Sequence, residues 1–482
     1  MNSYLKWGRK IIVLATMING LFFSVMAQIQ PREKNDTGIV KHYDFSVLQA
    51  IDFAAKNNVQ VKNALLDIKS QKEINREFTA AAYPHINASL GTTYNASIAT
   101  QVLPNFISPS TYQVLIDEGV KDGSGNPIQI PSNFGFIAAQ FGTKYNASAG
   151  VSLNQLLFDG QVFVGLQARA TAIEWKNKQV AVTEEAIKAN IYKIYYQLVV
   201  GKTQVELLDA TIDRLNKLLK DTRIIYENGF AEKLDVDKVS VQLNNLQTEK
   251  NKIANSISNG YYGLKTLMGM PVKDELVLTD TISDASIKEG MLENDTYSYE
   301  ERKDFQYAQL GKRLGEFNIR RYKLSLIPTI ALNGSYAKNA QRNKFNFFQK
   351  GDWFSISAIN LNISIPIFNG FATQAKINQA KIDLQKAENQ IDALKLSIDN
   401  DVTVSRNNFN IAIQSLDFQK KNMALAETVY MQTKKKYEAG TGSQLEINGA
   451  QVDLKGAQSN YITSLYDAII AKIDYLKAIG KL

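Results

Sequence analysis

The sequence predicts an α+β membrane protein, duplicated internally, with barrel-type strands at one end of each half and very long helices at the other. Three observations predict it. First, Asn154-Gln155-Leu156-Leu157-Phe158-Asp159-Gly160 returns as the run that ends Phe368-Asn369-Gly370. Tyr226-Glu227-Asn228-Gly229 returns as Tyr437-Glu438-Ala439-Gly440, and Leu267-Met268-Gly269 as Ala478-Ile479-Gly480. The offset is 210 or 211 residues each time, so one long unit was copied and has kept its length. Second, four segments alternate apolar and polar residues with period two. Third, the stretches between them follow heptad spacing.

The N-terminus carries an export signal. Lys6, Arg9 and Lys10 precede an apolar stretch from Ile11 to Met26, and Val25-Met26-Ala27 offers small or apolar residues for cleavage, so residues 1–27 are expected to be removed. The stretch is interrupted at Asn19-Gly20 and is short of the ~20 residues a spanning helix needs. Loss of the three leader cations takes the formal charge from +8 to +5, spread along amphipathic segments without a dense basic run, which argues against nucleic acid as a partner. The chain has no cysteine, so disulfides and thiol chemistry contribute nothing.

In the first repeat, residues 28–270, helices are expected over 44–83 and barrel strands over 84–99 and 140–158. In 84–99, Ile86, Ala88, Leu90, Thr92, Tyr94, Ala96 and Ile98 alternate with His85, Asn87, Ser89, Gly91, Thr93, Asn95 and Ser97. One face is apolar or aromatic and the other nearly all polar, as in an outer-membrane barrel strand. Residues 140–158 alternate likewise. A long helix is expected over 161–227, with a seam of Ile187, Ile191, Ile194, Leu198, Val205, Leu208, Ile212, Leu215, Leu219 and Tyr226. A return helix over 232–269 uses Val239, Leu243, Leu246, Ile253 and Ile257. No proline lies between Gln161 and Met268.

Residues 271–298, polar and turn-rich, read as an equatorial linker between the halves. In the second repeat, residues 299–482, the expected elements are a helix over 299–327, strands over 328–338 and 353–368, a long helix over 371–437 and a return helix over 443–479. The long helix is seamed by Ile377, Ala380, Leu384, Ala387, Ile391, Leu394 and Ile398. In the last strand the apolar parity switches between Ala358 and Ile359, which predicts a bulge there. The excess length of the first strand pair lies in residues 100–140, expected to be an irregular extracellular loop rich in Gly, Asn and Pro.

Four strands per chain cannot close a barrel, and an open sheet edge cannot survive in lipid. The chain must therefore oligomerise, and two, three or four copies would give eight, twelve or sixteen strands. An enzyme finds little support. There are two histidines, His42 and His85, and no G-x-x-x-x-G-K-[ST], H-E-x-x-H or G-x-S-x-G. No cofactor is expected. Without a nucleotide site, any transport must be energised by a partner. The competing reading is a periplasmic coiled-coil scaffold protein without a pore.

From Phe45 to Leu482 the chain resembles the TolC-like outer-membrane efflux proteins, the outer membrane factors. The resemblance rests on the duplicated Phe158-Asp159-Gly160 and Phe368-Asn369-Gly370 junctions between strand and helix. It rests equally on the turns Tyr226…Gly229…Leu234-Asp235-Val236 and Tyr437…Gly440…Leu445-Glu446-Ile447. It implies a homotrimer with a twelve-stranded β-barrel in the outer membrane, continued by an α-helical coiled-coil periplasmic tunnel. It also implies a passive exit duct for a tripartite efflux or type I secretion system, with a periplasmic adaptor (membrane fusion protein) and an inner-membrane transporter of the RND or ABC type. Outer-membrane lipid would surround the barrel.

The turns would then be periplasmic tips where the adaptor docks, at Gly229, Phe230 and Leu234 on one and Gly440, Thr441 and Leu445 on the other. Asp235 and Tyr437 match a tyrosine–acid pair of the family's periplasmic gate, and Glu446 an acid that rings the constriction. Gly442 stands where family members carry a lock arginine, and Gly449 where a second acidic ring would be, which implies a looser lock and a single ring.

Overall fold

The computed structural model describes residues 40–282, Ile287 and 297–482. The export signal at 1–27 and most of the second half of the expected linker lie outside the described residues.

The chain begins with β1 (His42–Phe45), α1 (Val47–Asn57) and α2 (Val59–Ala80). Next come β2 (His85–Tyr94), β3 (Thr100–Pro104), α3 (Ile107–Asp117), β4 (Phe136–Gln140) and β5 (Tyr145–Phe158). Two long helices follow, α4 (Gly160–Glu227) and α5 (Lys233–Met268). After β6 (Glu275–Leu278) and a 3-10 turn at Tyr299–Glu301, the plan repeats as α6 (Lys303–Leu324), β7 (Thr329–Arg342), β8 (Phe354–Ser364), α7 (Ala372–Glu438) and α8 (Gln444–Ala478).

The helices α4 and α7, 68 and 67 residues long, each span about 100 Å at 1.5 Å per residue. Unbroken heptads and the absence of proline allow that length. Most of the first seam is inside: Ile187, Ile191, Leu198, Leu208, Ile212 and Leu215 are buried, whereas Tyr226 at its end is exposed. Three apolar clusters are strung along the helices. One joins α1 to α4 and α5 through Val47, Ala54, Ile191, Tyr195, Leu264 and Met268. The second joins α7 to α8 through Ile398, Phe409, Ile413, Leu416 and Ile469. The third, nearest the turns, gathers Leu215, Val239, Tyr430, Ile447 and Leu454 from all four long helices. Arg302, nearly buried, grips Asp304 at 2.6 Å and the Ala478 carbonyl at 3.1 Å, tying the end of α8 to the start of α6.

The strands β2-β5-β7-β8 form one antiparallel sheet in that order, and β2 and β8 are its unpaired edges. Its register sets Ile86 opposite Leu153, Ala88 opposite Val151, Val151 opposite Tyr336 and Leu332 opposite Leu361 on one face. On the other, Asn154 lies opposite His85 and Asn333, and Asn333 opposite Asn360. Side chains alternate between the faces of a strand, so the pairing gathers most of the apolar residues of the four strands on one side and most of the Asn residues on the other.

Several expectations need correction. No bulge occurs at Ala358–Ile359: β8 pairs with β7 without a break from Phe354 to Ser364. The parity switch arises because the small Ser357 and Ala358 sit on either face equally well, so Phe354 and Ile356 share the polar face instead. The sheet's register shift lies between Leu156 and Phe158. Residues 100–140 are not irregular throughout, since β3 and β4 pair as a second small sheet and α3 lies between them. Within this loop Asp122 accepts hydrogen bonds from the Ser124 and Asn126 amides, both 2.9 Å. Those bonds, with the Asn126 amide foremost, hold its carboxyl below the ordinary range. The strand expected over 84–99, β2, stops at Tyr94, where the Asn95 side chain turns to the Thr143 carbonyl, and β5 starts at Tyr145 rather than near 140. The expected linker holds β6, which pairs in parallel with β1, His42 to Glu275 through Phe45 to Leu278.

Candidate functional site

Both turns between the long helices stop their helix in the same way. At the first, Asn228 ends α4 and Gly229 adopts φ +82°. The Gly229 amide bonds the Tyr226 carbonyl at 2.9 Å and the Phe230 amide reaches back to Ile225 at 3.0 Å. At the second, Gly440 has φ +71°, its amide bonds Tyr437 at 3.0 Å, and the Thr441 amide bonds Lys436 at 3.0 Å. This is the Schellman arrangement, which needs a left-handed residue just past the helix and so selects glycine. The apolar contact that often accompanies it is missing: Phe230 is 85% exposed. Leu234 and Leu445 are exposed too, so each tip presents bare apolar side chains beside small ones.

The residues matched to the gate lie around these tips but are not joined within one chain. Asp235, in the first turn of α5, faces Lys238 at 4.0 Å. Tyr437 is half-buried against the apolar cluster of Leu215, Tyr430 and Ile447. Neither a hydrogen bond nor an ion pair links the two among the described residues. Glu446 is exposed in the first turn of α8, where its amide is held by the Ser443 hydroxyl at 3.2 Å. A side chain at Gly442 would bring its Cβ to 3.0 Å from the Tyr437 amide nitrogen and 3.1 Å from the Lys436 carbonyl carbon, so the second turn crowds that position. Gly449 has nothing within 4 Å of such a Cβ.

The two strand-to-helix junctions are alike in sequence and unlike in surroundings. Asp159 caps α4, accepting from the Gln161 amide at 2.7 Å and the Val162 amide at 3.4 Å. Gly160 is buried with no room for a Cβ, which would lie 2.7–2.8 Å from the Leu324 carbonyl oxygen, the Leu324 Cβ and the Ile327 Cδ1. Phe158 is half-buried and rings with Phe163 at 5.5 Å. At the second junction, Phe368 and Phe371 stack edge to face at 5.3 Å in the open, and Gly370 has no neighbour within 4 Å. Asn369 gives its amide to the Thr373 hydroxyl instead of capping the helix, which starts only at Ala372, after Phe371 in a left-handed conformation.

Sequence reasoning did not single out the tyrosine pair over α7. Tyr297 and Tyr299 both donate to Asp399 Oδ1, at 2.5 and 2.8 Å. Their spacing two residues apart across the end of the expected linker was the available signal. Among the described residues no group of three His, Asp or Glu is placed to hold a metal ion. No helix there is long and apolar enough to cross a membrane. The arrangement is an open four-stranded sheet with one mainly polar and one mainly apolar face, continued by long helices.

The profile of the family described as outer membrane efflux protein matches residues 50–270 and 298–481, leaving out the linker. The outer membrane protein TolC of Vibrio cholerae is 22% identical over 342 residues, 70% of this chain and 77% of that one. The alkaline protease secretion protein AprF of Pseudomonas aeruginosa is 18% identical over 328 residues, 67% of each. Among solved structures, the outer membrane protein VceC of Vibrio cholerae superposes with a TM-score of 0.68 at 15% identity, covering 90% of this chain and 96% of that one.

Proposed function

Since this chain belongs to the outer membrane efflux protein family, and so resides in the outer membrane and extends into the periplasm, we propose that it is the passive exit duct of a tripartite efflux or type I secretion system. The observation that carries this reading is the four-stranded sheet. It has one mainly apolar face, one face rich in Asn and Ser, and two unpaired edges, and it runs into helices about 100 Å long. Unpaired edges are intolerable in lipid, and three copies of four strands close a twelve-stranded barrel whose apolar face meets outer-membrane lipid and whose polar face lines water. The helices then continue the lumen as a tunnel. The loop with β3, α3 and β4 lies at the far, extracellular end.

The partners follow from the same geometry. The tips around Gly229, Phe230, Leu234, Gly440, Thr441 and Leu445 are small and apolar, which suits docking of a periplasmic adaptor's helix ends. Asp235, Tyr437 and Glu446 line the entrance between them. An inner-membrane transporter, of the RND or ABC type, supplies the free energy, and the duct itself performs no chemistry. The relative AprF carries secretion in its name, and the family name carries efflux. The test is the mass of the detergent-extracted protein by light scattering, with the detergent contribution subtracted. A trimer confined to the outer-membrane fraction supports the duct. A water-soluble monomer or dimer overturns it in favour of a periplasmic scaffold.

A further inference from the structure

Every residue from Phe354 to Ala372 is exposed in the single chain. This run comprises the edge strand β8 and the elbow that leads into α7, with Ile365, Ile367, Phe368 and Phe371 all bare. The duplication says what should cover it. Within the chain, the second strand of the first repeat, β5, pairs with the first strand of the second repeat, β7. The junction below β5 is wedged against the corner below α6, at Leu324 and Ile327. The second repeat has the same parts, but β8 is paired on its β7 side alone, and its outer edge and elbow stay uncovered among the described residues. The first repeat has an uncovered counterpart to that corner. Pro84 precedes β2 as Pro328 precedes β7, which equates Tyr83 with Ile327 and Ala80 with Leu324. Tyr83 is exposed.

Resting on the trimeric reading above, we propose that the Phe368–Phe371 elbow of one copy seats on the α2–β2 corner of the next copy, at its Ala80 and Tyr83. β8 then pairs antiparallel with the neighbour's β2, with Ile363 opposite Leu90 and Leu361 opposite Thr92. The register comes from carrying the β5–β7 pairing over to the copied strands. The pair Leu153–Gly334 maps to Ile363–Leu90, and Val151–Tyr336 to Leu361–Thr92, by 210 residues forward for β5 and 244 back for β7.

The apolar faces agree with this register independently. Leu90 and Ile363 both belong to the apolar side of the sheet as it is already paired. A slip of one residue would set that side against polar neighbours. The same register carries the ladder past Ser364 and brings Ile365 opposite Ala88, so that bare isoleucine joins the lipid-facing surface; the shift between Leu156 and Phe158, carried over, falls at Ile367 and sets Phe368 opposite Ile86. Phe371, held at φ +64° in the single chain, is the one described non-glycine residue with a positive φ. Such a conformation persists where surroundings over-determine it, and the neighbour's Tyr83 supplies surroundings for its ring.

The chain contains no cysteine, so paired cysteines report proximity without background. The test oxidises Leu361→Cys/Thr92→Cys in outer membranes and runs the product on a denaturing gel without reductant. Residues directly opposite in an antiparallel pair have Cα atoms about 4.5–5.5 Å apart, within disulfide reach. Diagonal neighbours at about 7–8 Å are not. The expected result is covalent dimers and trimers for this pair, and monomer for Leu361→Cys/Leu90→Cys and Leu361→Cys/Tyr94→Cys. Cross-linking only through an offset pair, in a protein whose uncross-linked mass is trimeric, overturns the register and the seat while leaving three-copy closure standing. A monomeric mass overturns both. A second variant isolates the elbow. Phe371→Gly relieves the left-handed backbone and removes the ring, so it lowers the temperature at which the trimer dissociates if the ring seats on the neighbour. A raised or unchanged dissociation temperature overturns the seat.

Discussion

The phenol of Tyr297 donates a 2.5 Å hydrogen bond to Asp399 Oδ1, the oxygen that also receives Tyr299 at 2.8 Å. One carboxylate on α7 thereby anchors the chain where the expected linker ends. Both bonds favour the charged acid, Tyr297 first, and hold Asp399 below the ordinary carboxylate range. Each tyrosine's own bond to Asp399 acts the other way, pushing Tyr297 up to about 12 and raising Tyr299. For the tyrosines, whose ionisation is raised above an unfolded value of about 10, the contribution is complete below pH ~10 and is lost as pH climbs towards about 12. For Asp399, whose value is lowered, the contribution is present above about pH 4 and is lost on acidification. The expected outcome of Asp399→Ala is that tyrosine ionisation, followed by ultraviolet difference titration, moves towards lower pH relative to the native protein. Identical titration curves would refute the anchor.

The long helices and the two-faced strands were legible because each repeats one simple period over many residues, from Ile187 to Leu219 and from His85 to Tyr94. The pairing of β1 with β6 was not legible. It joins four residues to four across 233 positions, and His42-Tyr43-Asp44-Phe45 has too few alternations to declare itself. The expected bulge failed for a different reason. A change of apolar parity is also produced by placing Phe354 and Ile356 on the polar face, and sequence alone does not separate that from an inserted residue. The gate residues mark the limit of a single chain. Asp235 and Tyr437 can be placed at the tips by motif, but their partnership is a matter of how copies meet.

The fit of Gly160 against Leu324 and Ile327 makes Gly160→Ala an overpacking mutation, since the added methyl would sit 2.7–2.8 Å from three heavy atoms, one of them backbone. A cost of about 1–3 kcal/mol is expected. Gly263→Ala on α5 is the control, because its new Cβ meets nothing within 4 Å and alanine favours a helix by roughly 0.5–1 kcal/mol. Thermal midpoints in detergent should fall for the first and hold or rise for the second. Equal midpoints would show that the junction yields easily.

Tyr437 stands half-buried near the second tip, and Asp235 carries its charge in the first turn of α5 with Lys238 4.0 Å away. If the two meet between copies to hold the entrance shut, Asp235→Ala with Tyr437→Phe raises single-channel conductance in planar bilayers. Losing one hydrogen bond of about 1 kcal/mol shifts a closed–open balance about fivefold. Tyr437→Phe alone, which leaves the helix-start charge in place, should show most of the effect. Should conductance stay at the native level in both variants, Asp235 serves only the positive end of its helix dipole and Tyr437 only its apolar cluster.

Glu446 is exposed at the second tip with its backbone amide held by the Ser443 hydroxyl, and no ion pair holds its carboxylate among the described residues. With Gly449 one turn on, α8 brings a single acidic ring to the proposed constriction. Three such acids around a narrow entrance repel anions and gather cations over about a Debye length, ~8 Å in physiological salt. Glu446→Gln therefore lowers cation preference, read as a reversal potential moved towards zero in a salt gradient, and weakens block by multivalent cations. High salt screens the native ring and shrinks the difference between the two proteins. A reversal potential that the substitution leaves unaltered at low salt means the carboxylate faces away from the pore, and the tip's selectivity must then come from the nearby Asp235.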